Sequence, residues 1–133
     1  MKSIREIVII GRGALRLPKN LVRVTHDLPF HFLNRYAREL DEGLDLVKTP
    51  TMYGIVLVIF QCPDSGSDDP HYTKTCKFLE EVHAILPKAG RIVICHQGIK
   101  EKETQAIGAS FLEINDTDEE YQRCIREALV QIR

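Results

Sequence analysis

Short apolar runs alternate with amphipathic stretches along the chain, and the runs predict the strands of a sheet. Ile7–Ile10 and Ile55–Phe60 are continuous apolar runs, which are typical of strands buried on both faces. Ile92–Cys95 and Phe111–Ile114 are shorter runs of the same kind. These four segments predict the central strands of the fold.

The N-terminal quarter carries a less regular pattern. Leu21–Val24 is a second apolar run, preceded by Pro18, and it predicts a short strand. About ten residues separate this run from the first strand, fewer than an ordinary crossover helix needs. The two strands are therefore expected to form a hairpin or to be joined by a vestigial helix.

From Phe30 onward, apolar residues recur at spacings of three and four, which indicates an amphipathic helix. Asp27 and Pro29 favour a helix start, and Pro50 ends the pattern. The predicted core face of this helix comprises Phe30, Leu33, Ala37, Leu40, Leu44 and Val47.

Two later stretches show the same helical period. Asp69 and Pro70 supply a cap and a first residue for one helix, and residues 115–117 supply the cap of another. A short helix is also predicted near Lys100–Ile107. The predicted core faces are Tyr72, Cys76, Leu79, Val82 and Leu86 in the first helix, and Tyr121, Cys124, Ile125, Ala128, Leu129 and Ile132 in the last.

The alternation predicts a three-layer α/β fold, with a mainly parallel sheet of about five strands and helices on both faces. The layout is expected to be P-loop/Rossmann-like or flavodoxin-like, in a single α/β domain over residues 1–133. Ligands of such sheets bind beyond the carboxyl ends of the strands. The candidate ligand-binding residues are therefore Gly11, Arg12, Gly13, Gln61, Cys62, Asp64, Cys95, His96, Gln97, Gly98, Asn115 and Asp116.

Composition and charge narrow the function classes. Hydrophobic residues make up 44% of the chain and charged residues 28%, as in ordinary globular domains. The net charge of −1 argues against a nucleic-acid binder that works by bulk charge. No apolar run is long enough to span a bilayer, and the four cysteines form no CxxC pair. We therefore expect a cytoplasmic protein with reduced thiols and no membrane association.

Gly11–Gly13 lies where a phosphate-binding loop would follow the first strand. Counted from its first glycine, the Gly, Lys and Ser/Thr positions of that loop hold Arg16, Leu17 and Pro18. The dinucleotide-binding glycine pattern also fails, at Arg16. Two glycines after a strand suit an ordinary turn, although Arg12 could supply the counter-charge of an anion in place of the missing lysine.

Two other clusters could carry chemistry. Three aspartates within residues 64–69 could hold a divalent cation, but a solvated loop with a helix cap is the simpler interpretation. Cys62, Cys95 and His96 follow strands that are expected to be neighbours, so they could form a thiol or zinc site. Cysteine is more often a small buried filler. We therefore assign no catalytic residue, no metal and no cofactor.

The second half of the chain resembles the Ras-like small GTPases in the order of its elements and in residue type. The segments that carry the resemblance are Gly54–Phe60, Phe78–Val82, Arg91–Cys95, Ala109–Glu113 and Ala128–Arg133. The resemblance implies a GTPase scaffold for residues 54–133.

The functional residues of that family do not carry over. Its guanine-reading Asn-Lys-x-Asp would stand at His96–Ile99, which has neither the Lys nor the Asp. Its Ser-Ala-Lys segment would stand near Asn115, and its Asp-x-x-Gly is absent before Tyr53. The resemblance therefore implies a pseudo-GTPase that keeps the scaffold and has lost the nucleotide.

Response-regulator receiver domains share a similar alternation of elements. Their acidic pair after the first strand is replaced by Gly11 and Arg12, and their phosphoacceptor aspartate is missing around Phe60 and Gln61. Their lysine at the last strand is also missing. With either family, the residues that carry the chemistry have been replaced.

We hypothesise a non-catalytic α/β module that binds a protein partner as an interaction or assembly subunit. The alternative is a nucleotide- or phosphate-binding enzyme or sensor with its site at the strand carboxyl ends. That site would combine Gly11–Gly13, Gln61–Asp64 and Cys95–Gly98.

Overall fold

A computed structural model describes residues 3–11, 16–49, 53–61, 70–95, 109–114 and 116–130. Five strands and four helices lie within these ranges. The strands are β1 (Ser3–Ile10), β2 (Phe30–Ala37), β3 (Ile55–Gln61), β4 (Gly90–Cys95) and β5 (Ser110–Glu113). The helices are α1 (Leu17–His26), α2 (Leu40–Lys48), α3 (Pro70–Ile85) and α4 (Asp118–Leu129).

All strand pairs are parallel, and the strand order is β2-β1-β3-β4-β5. This order is the flavodoxin-like form of the doubly wound sheet. The predicted fold class is therefore confirmed, and the flavodoxin-like alternative is the right one. Parallel strands need a crossover between each pair, so helices cover both faces.

The two faces of the sheet bury separate cores. Ile9 of β1 and Ile125 of α4 belong to one cluster, to which α1 also contributes. Ile10 of β1 lies in the other cluster with Val47 of α2 and Val82 of α3. Because successive residues of a strand point to opposite faces, the continuous apolar runs of β1 and β3 fill both cores.

The N-terminal quarter is regular, contrary to the prediction. The strand expected at Leu21–Val24 is wrong, because these residues belong to α1. Leu17, Leu21 and Val24 are buried at spacings of four and three, which place them on one helix face. Pro18 lies in the first turn, where a proline is tolerated. A full crossover helix therefore replaces the expected hairpin or vestigial helix.

The helix predicted from Phe30 is wrong in its first half. Residues Phe30–Ala37 form β2, paired with β1 along its whole length, and only Leu40–Lys48 is helical. The spacing of three between Phe30 and Leu33 is incidental, since Leu33 is 45% exposed. Pairing with the neighbouring strand overrides this local spacing.

The remaining elements agree with the sequence. Leu79 and Val82 are buried on α3, as are Tyr121, Cys124 and Ile125 on α4. The last helix is capped by Thr117, whose Oγ1 accepts a hydrogen bond from the Glu120 backbone N–H at 3.2 Å. The short helix predicted near residues 100–107 lies outside the described residues.

A polar cluster joins α1 to the start of α4. Asn20 is 1% exposed, and its amide donates to Asp118 Oδ1 at 3.0 Å. Its amide oxygen accepts a hydrogen bond from Gln122 at 2.9 Å. Lys19 and Arg16 pair with Asp118 at 3.1 Å and 3.6 Å. The hydrogen bond from Asn20 and that from Lys19 lower the pKa of the Asp118 carboxyl.

This cluster predicts a pH-dependent contribution to stability. A carboxyl whose pKa is lowered on folding stabilises the protein above its unfolded pKa of about 4, and that stabilisation is lost as the pH falls through the folded pKa. Asp118→Asn should therefore lower the free energy of unfolding at pH 7, with the difference from wild type shrinking in acid. Urea denaturation of both proteins at pH 7 and in acid measures the difference in the free energy of unfolding. A difference that does not change with pH would contradict the prediction.

Candidate functional site

The carboxyl ends of the strands lie along one edge of the sheet. In spatial order, β2, β1, β3, β4 and β5 end at Ala37, Ile10, Gln61, Cys95 and Glu113. The chain moves outward from β1 to β2 on one side and returns to β3 on the other. The crevice between β1 and β3 is therefore the topological switch point, where flavodoxin-like sheets bind their ligands.

Gly11 begins the loop on the β1 side of this crevice. Its backbone N–H donates to the Ala37 carbonyl of β2 at 2.9 Å. Its φ of +90° lies in the region that favours glycine. A Cβ at this position would lie 2.5 Å from the Gln61 carbonyl oxygen, so the backbones of the two strand ends approach too closely for a side chain.

Gln61 closes the crevice from the β3 side. It is 8% exposed, and its Nε2 donates to the Gly11 carbonyl oxygen at 3.1 Å. The side chain therefore reaches from the end of β3 to the backbone at the end of β1. Gly11 is tied on both sides, to β2 through its N–H and to β3 through its carbonyl.

This arrangement limits the chemistry available at the switch point. An ionised carboxylate can bind a hard cation or attack a phosphoryl group, but a carboxamide carries no charge and is a weak nucleophile. The amide N–H of Gln61 is also committed to Gly11. The described part of the crevice is therefore suited to holding the strand ends together.

Asp116 has a structural role at the end of β5. Its Oδ2 accepts a hydrogen bond from the Glu113 backbone N–H at 2.9 Å, and its own N–H donates to the Glu113 carbonyl at 3.0 Å. These bonds close the turn that leads from β5 into α4. Asp116 lies at the predicted edge of the sheet, two strands away from Gln61.

Of the twelve predicted site residues, one further residue, Cys95, is described by its backbone alone. The backbone of Cys95 ends β4, next to Gln61 along the sheet order. The other candidates lie outside the described residues: Arg12, Gly13, Cys62, Asp64, His96, Gln97, Gly98 and Asn115. The described candidates share one edge of the sheet, and only Gly11 and Gln61 are in hydrogen-bonded contact.

The described residues include no group of three or more His, Cys, Asp or Glu side chains that could hold a metal ion. The aspartates of residues 64–69 and the Cys62, Cys95 and His96 side chains are not among those residues. Cys124 is a buried filler, and burial raises the pKa of its thiol to about 11. Among the described helices, none is long and apolar enough to cross a membrane.

A cavity of about 220 Å³ lies at the opposite end of the sheet. Val56 at the start of β3, Lys88 before β4 and Ala128 near the end of α4 line it. Arg5 also lines the cavity, but its guanidinium stacks on the Phe30 ring at 4.8 Å and donates to the Ile4 carbonyl at 3.0 Å. This cavity is separate from the switch point.

Comparison with known proteins identifies the fold but no family. No protein-family model matches the chain, and no curated protein sequence does. Several solved structures match over nearly the full length at low sequence identity. They include response regulator receiver proteins and a putative pilus assembly-related protein from Burkholderia pseudomallei K96243.

A CheY-like receiver domain protein from Methanospirillum hungatei JF-1 has a TM-score of 0.66 and 17% identity, over 97% of this chain and 96% of that chain. A receiver protein from Sinorhizobium medicae WSM419 has a TM-score of 0.65 and 13% identity, over 96% and 95%. A chain from the complex of the CheA3 P1 domain with CheY6 of R. sphaeroides has a TM-score of 0.59 and 17% identity, over 96% and 98%.

The chain shares the flavodoxin-like fold of these structures. The resemblance to Ras-like GTPases, and with it the pseudo-GTPase interpretation, is wrong. The segments that carried that resemblance belong to β3, α3, β4, β5 and α4, an order of strands and helices that many doubly wound folds share. The N-terminal half corrects the assignment, because β1, α1 and β2 form a regular parallel unit.

Proposed function

We propose that this chain is a receiver-fold module that accepts no phosphoryl group and acts by binding another protein. The observation that carries the proposal is the hydrogen bond from Gln61 Nε2 to the Gly11 carbonyl at 3.1 Å. Gln61 stands at the end of β3, where receiver domains carry the phosphoacceptor aspartate. Gly11 stands where the acidic pair of those domains begins.

Electrostatics support this proposal. Phosphoryl transfer needs a nucleophilic carboxylate and a divalent cation held by further carboxylates, because negative charge develops on the transferred group. Gln61 has a neutral amide, and Gly11 has no side chain. These two positions therefore provide neither the nucleophilic carboxylate nor a carboxylate that could hold the cation. The hydrogen bond between them also stabilises the crevice without any ligand.

The fold supports a role in protein binding. One of the similar structures is itself a complex, between the P1 domain of CheA3 and CheY6. Glu113 is exposed at the same edge of this chain as Gly11 and Gln61. We therefore place the partner surface at the strand-end edge, with Glu113 on it.

A phosphorylation assay tests the first half of the proposal. The purified chain is incubated with acetyl phosphate and Mg²⁺, and its intact mass is measured beside that of a receiver domain with a complete acidic site. We expect the control to gain a phosphoryl group and this chain to gain none, because Gln61 cannot act as the acceptor. A stoichiometric mass gain on this chain would refute the proposal.

A pull-down with charge-reversed variants tests the second half. Glu113→Lys changes the strand-end edge, whereas Glu127→Lys changes an exposed glutamate near the far end of α4. We expect proteins captured by the wild-type chain to be retained by Glu127→Lys and lost with Glu113→Lys. Equal capture by both variants would place the partner surface elsewhere.

A further inference from the structure

The two edge strands of the sheet differ in length and in how well they are protected from pairing with a further strand. β5 has four residues, whereas β2 has eight and pairs without a bulge along β1. β2 contains no proline, no lysine and no acidic residue, and its charged Arg35 pairs with Glu6 of β1. Prolines and exposed charges are the usual devices that keep an edge strand from pairing. Within the described residues β2 has one neighbouring strand, β1.

The backbone of β2 presents a regular set of hydrogen-bonding groups to the outside. The Ala37 carbonyl accepts a hydrogen bond from the Gly11 N–H, so the backbone N–H and C=O groups of Ala37 point toward β1. The backbone N–H and C=O groups alternate in direction along a strand. Those of His31, Leu33 and Arg35 therefore also point toward β1. The outward-facing groups are therefore those of Phe30, Phe32, Asn34 and Tyr36.

Two side chains of β2 are exposed to solvent, and a third carries an oxygen that lacks a hydrogen bond. Tyr36 is 65% exposed and Leu33 is 45% exposed. The amide oxygen of Asn34 is shielded from solvent and accepts no hydrogen bond from the described residues. Such an oxygen destabilises the protein unless it finds a donor.

We propose that β2 pairs antiparallel with β2 of a second copy of this chain, about a two-fold axis at Asn34. The two sheets then become one continuous ten-stranded sheet, and the interface is self-complementary, as two-fold symmetry requires. This self-association uses β2, so it stands independently of the proposed strand-end surface at Glu113.

The register follows from what each side chain would face. With the axis at Asn34, the two Asn34 amides lie opposite each other, and a rotation of each amide toward the axis lets one donate to the other. Phe32 lies opposite the partner's Tyr36, which forms an aromatic cross-strand pair. Leu33 lies opposite the partner's Arg35, and Glu6 of β1 pairs with the Arg35 guanidinium at 3.7 Å within each copy.

The neighbouring symmetric register is less favourable. With the axis at Leu33, the outward backbone groups would still pair, but Asn34 would face the partner's Phe32 and keep its amide oxygen without a donor. His31 would face the partner's Arg35, which opposes two basic side chains. The axis at Asn34 avoids both costs.

Sedimentation equilibrium over a concentration series tests the interface. We expect a monomer–dimer equilibrium for the wild-type chain. Asn34→Lys places two like charges opposite each other on the axis and should raise the dissociation constant at least about tenfold. Tyr36→Lys, at an exposed position that tolerates lysine in the monomer, should act in the same direction because two aromatic pairs are lost per dimer.

His31→Lys is the matched control on the same strand. In the proposed register His31 faces the partner's Ala37, so this exposed position should accept lysine with the dissociation constant unchanged. A wild-type chain that remains monomeric up to about 1 mM, a concentration at which even weak association is populated, overturns the dimer. Unchanged dimerisation in both Asn34→Lys and Tyr36→Lys overturns the β2 interface. Dissociation by His31→Lys overturns the register.

Discussion

Gly11→Ala is expected to destabilise the protein by about 2–4 kcal/mol. Two costs add at this position. The φ of +90° costs an L-residue about 1–2 kcal/mol. The new Cβ would also lie 2.5 Å from the Gln61 carbonyl oxygen, and this is backbone that cannot rotate away. Urea denaturation followed by circular dichroism measures the loss.

Gly54→Ala is the matched control. Gly54 has a similar φ of +81°, but a Cβ there meets nothing within 4 Å. Only the backbone strain applies there, and the smaller conformational entropy of the unfolded chain partly offsets it. We therefore expect the free energy of unfolding to fall by about 1 kcal/mol. The difference between the two variants isolates the contact between the strand ends. Equal losses would contradict the close approach of Gly11 and Gln61.

The same geometry explains why one substitution cannot build an acidic site of the receiver type in this crevice. An aspartate at Gly11 would carry the same Cβ into the Gln61 carbonyl. An aspartate at Gln61 would remove the N–H that the Gly11 carbonyl accepts. The two positions are therefore coupled, because an acidic side chain at either one disturbs the contact between the ends of β1 and β3.

The sequence predicts the central strands well because they are buried on both faces. β1 and β3 must supply apolar side chains to both cores, so their runs are continuous and cannot be mistaken for a solvated helix. The edge strand β2 is different. Only part of its surface is buried, so its apolar residues form no continuous run, and the spacing between Phe30 and Leu33 fits a helix equally well.

The strand-end edge could be predicted from topology, but its contacts could not. Parallel strands place their carboxyl ends together, which is why Gly11, Gln61 and Cys95 were expected at one edge. The Gly11–Gln61 hydrogen bond depends on the register between β1 and β3, which shifts between Glu6 and Ile7. Such a shift leaves no mark in hydrophobic periodicity.

Tyr121→Ala is expected to cost about 3–5 kcal/mol, as truncation of a buried aromatic side chain does. Tyr121 is fully buried in the core between the sheet and α4. Its hydroxyl donates to the Ile114 carbonyl at 3.0 Å, which ties α4 to the end of β5. Burial raises the pKa of this phenol, so it remains a donor at neutral pH. Denaturant unfolding measures the change.

Tyr121→Phe separates the hydrogen bond from the packing. It keeps the ring and removes only the hydroxyl, so we expect a loss of about 1 kcal/mol, with the Ile114 carbonyl left without its donor. The ring therefore accounts for most of the effect of Tyr121→Ala. If the two variants were equally stable, the aromatic ring would contribute nothing beyond the hydroxyl, and the packing of α4 against the sheet would be different from the one described.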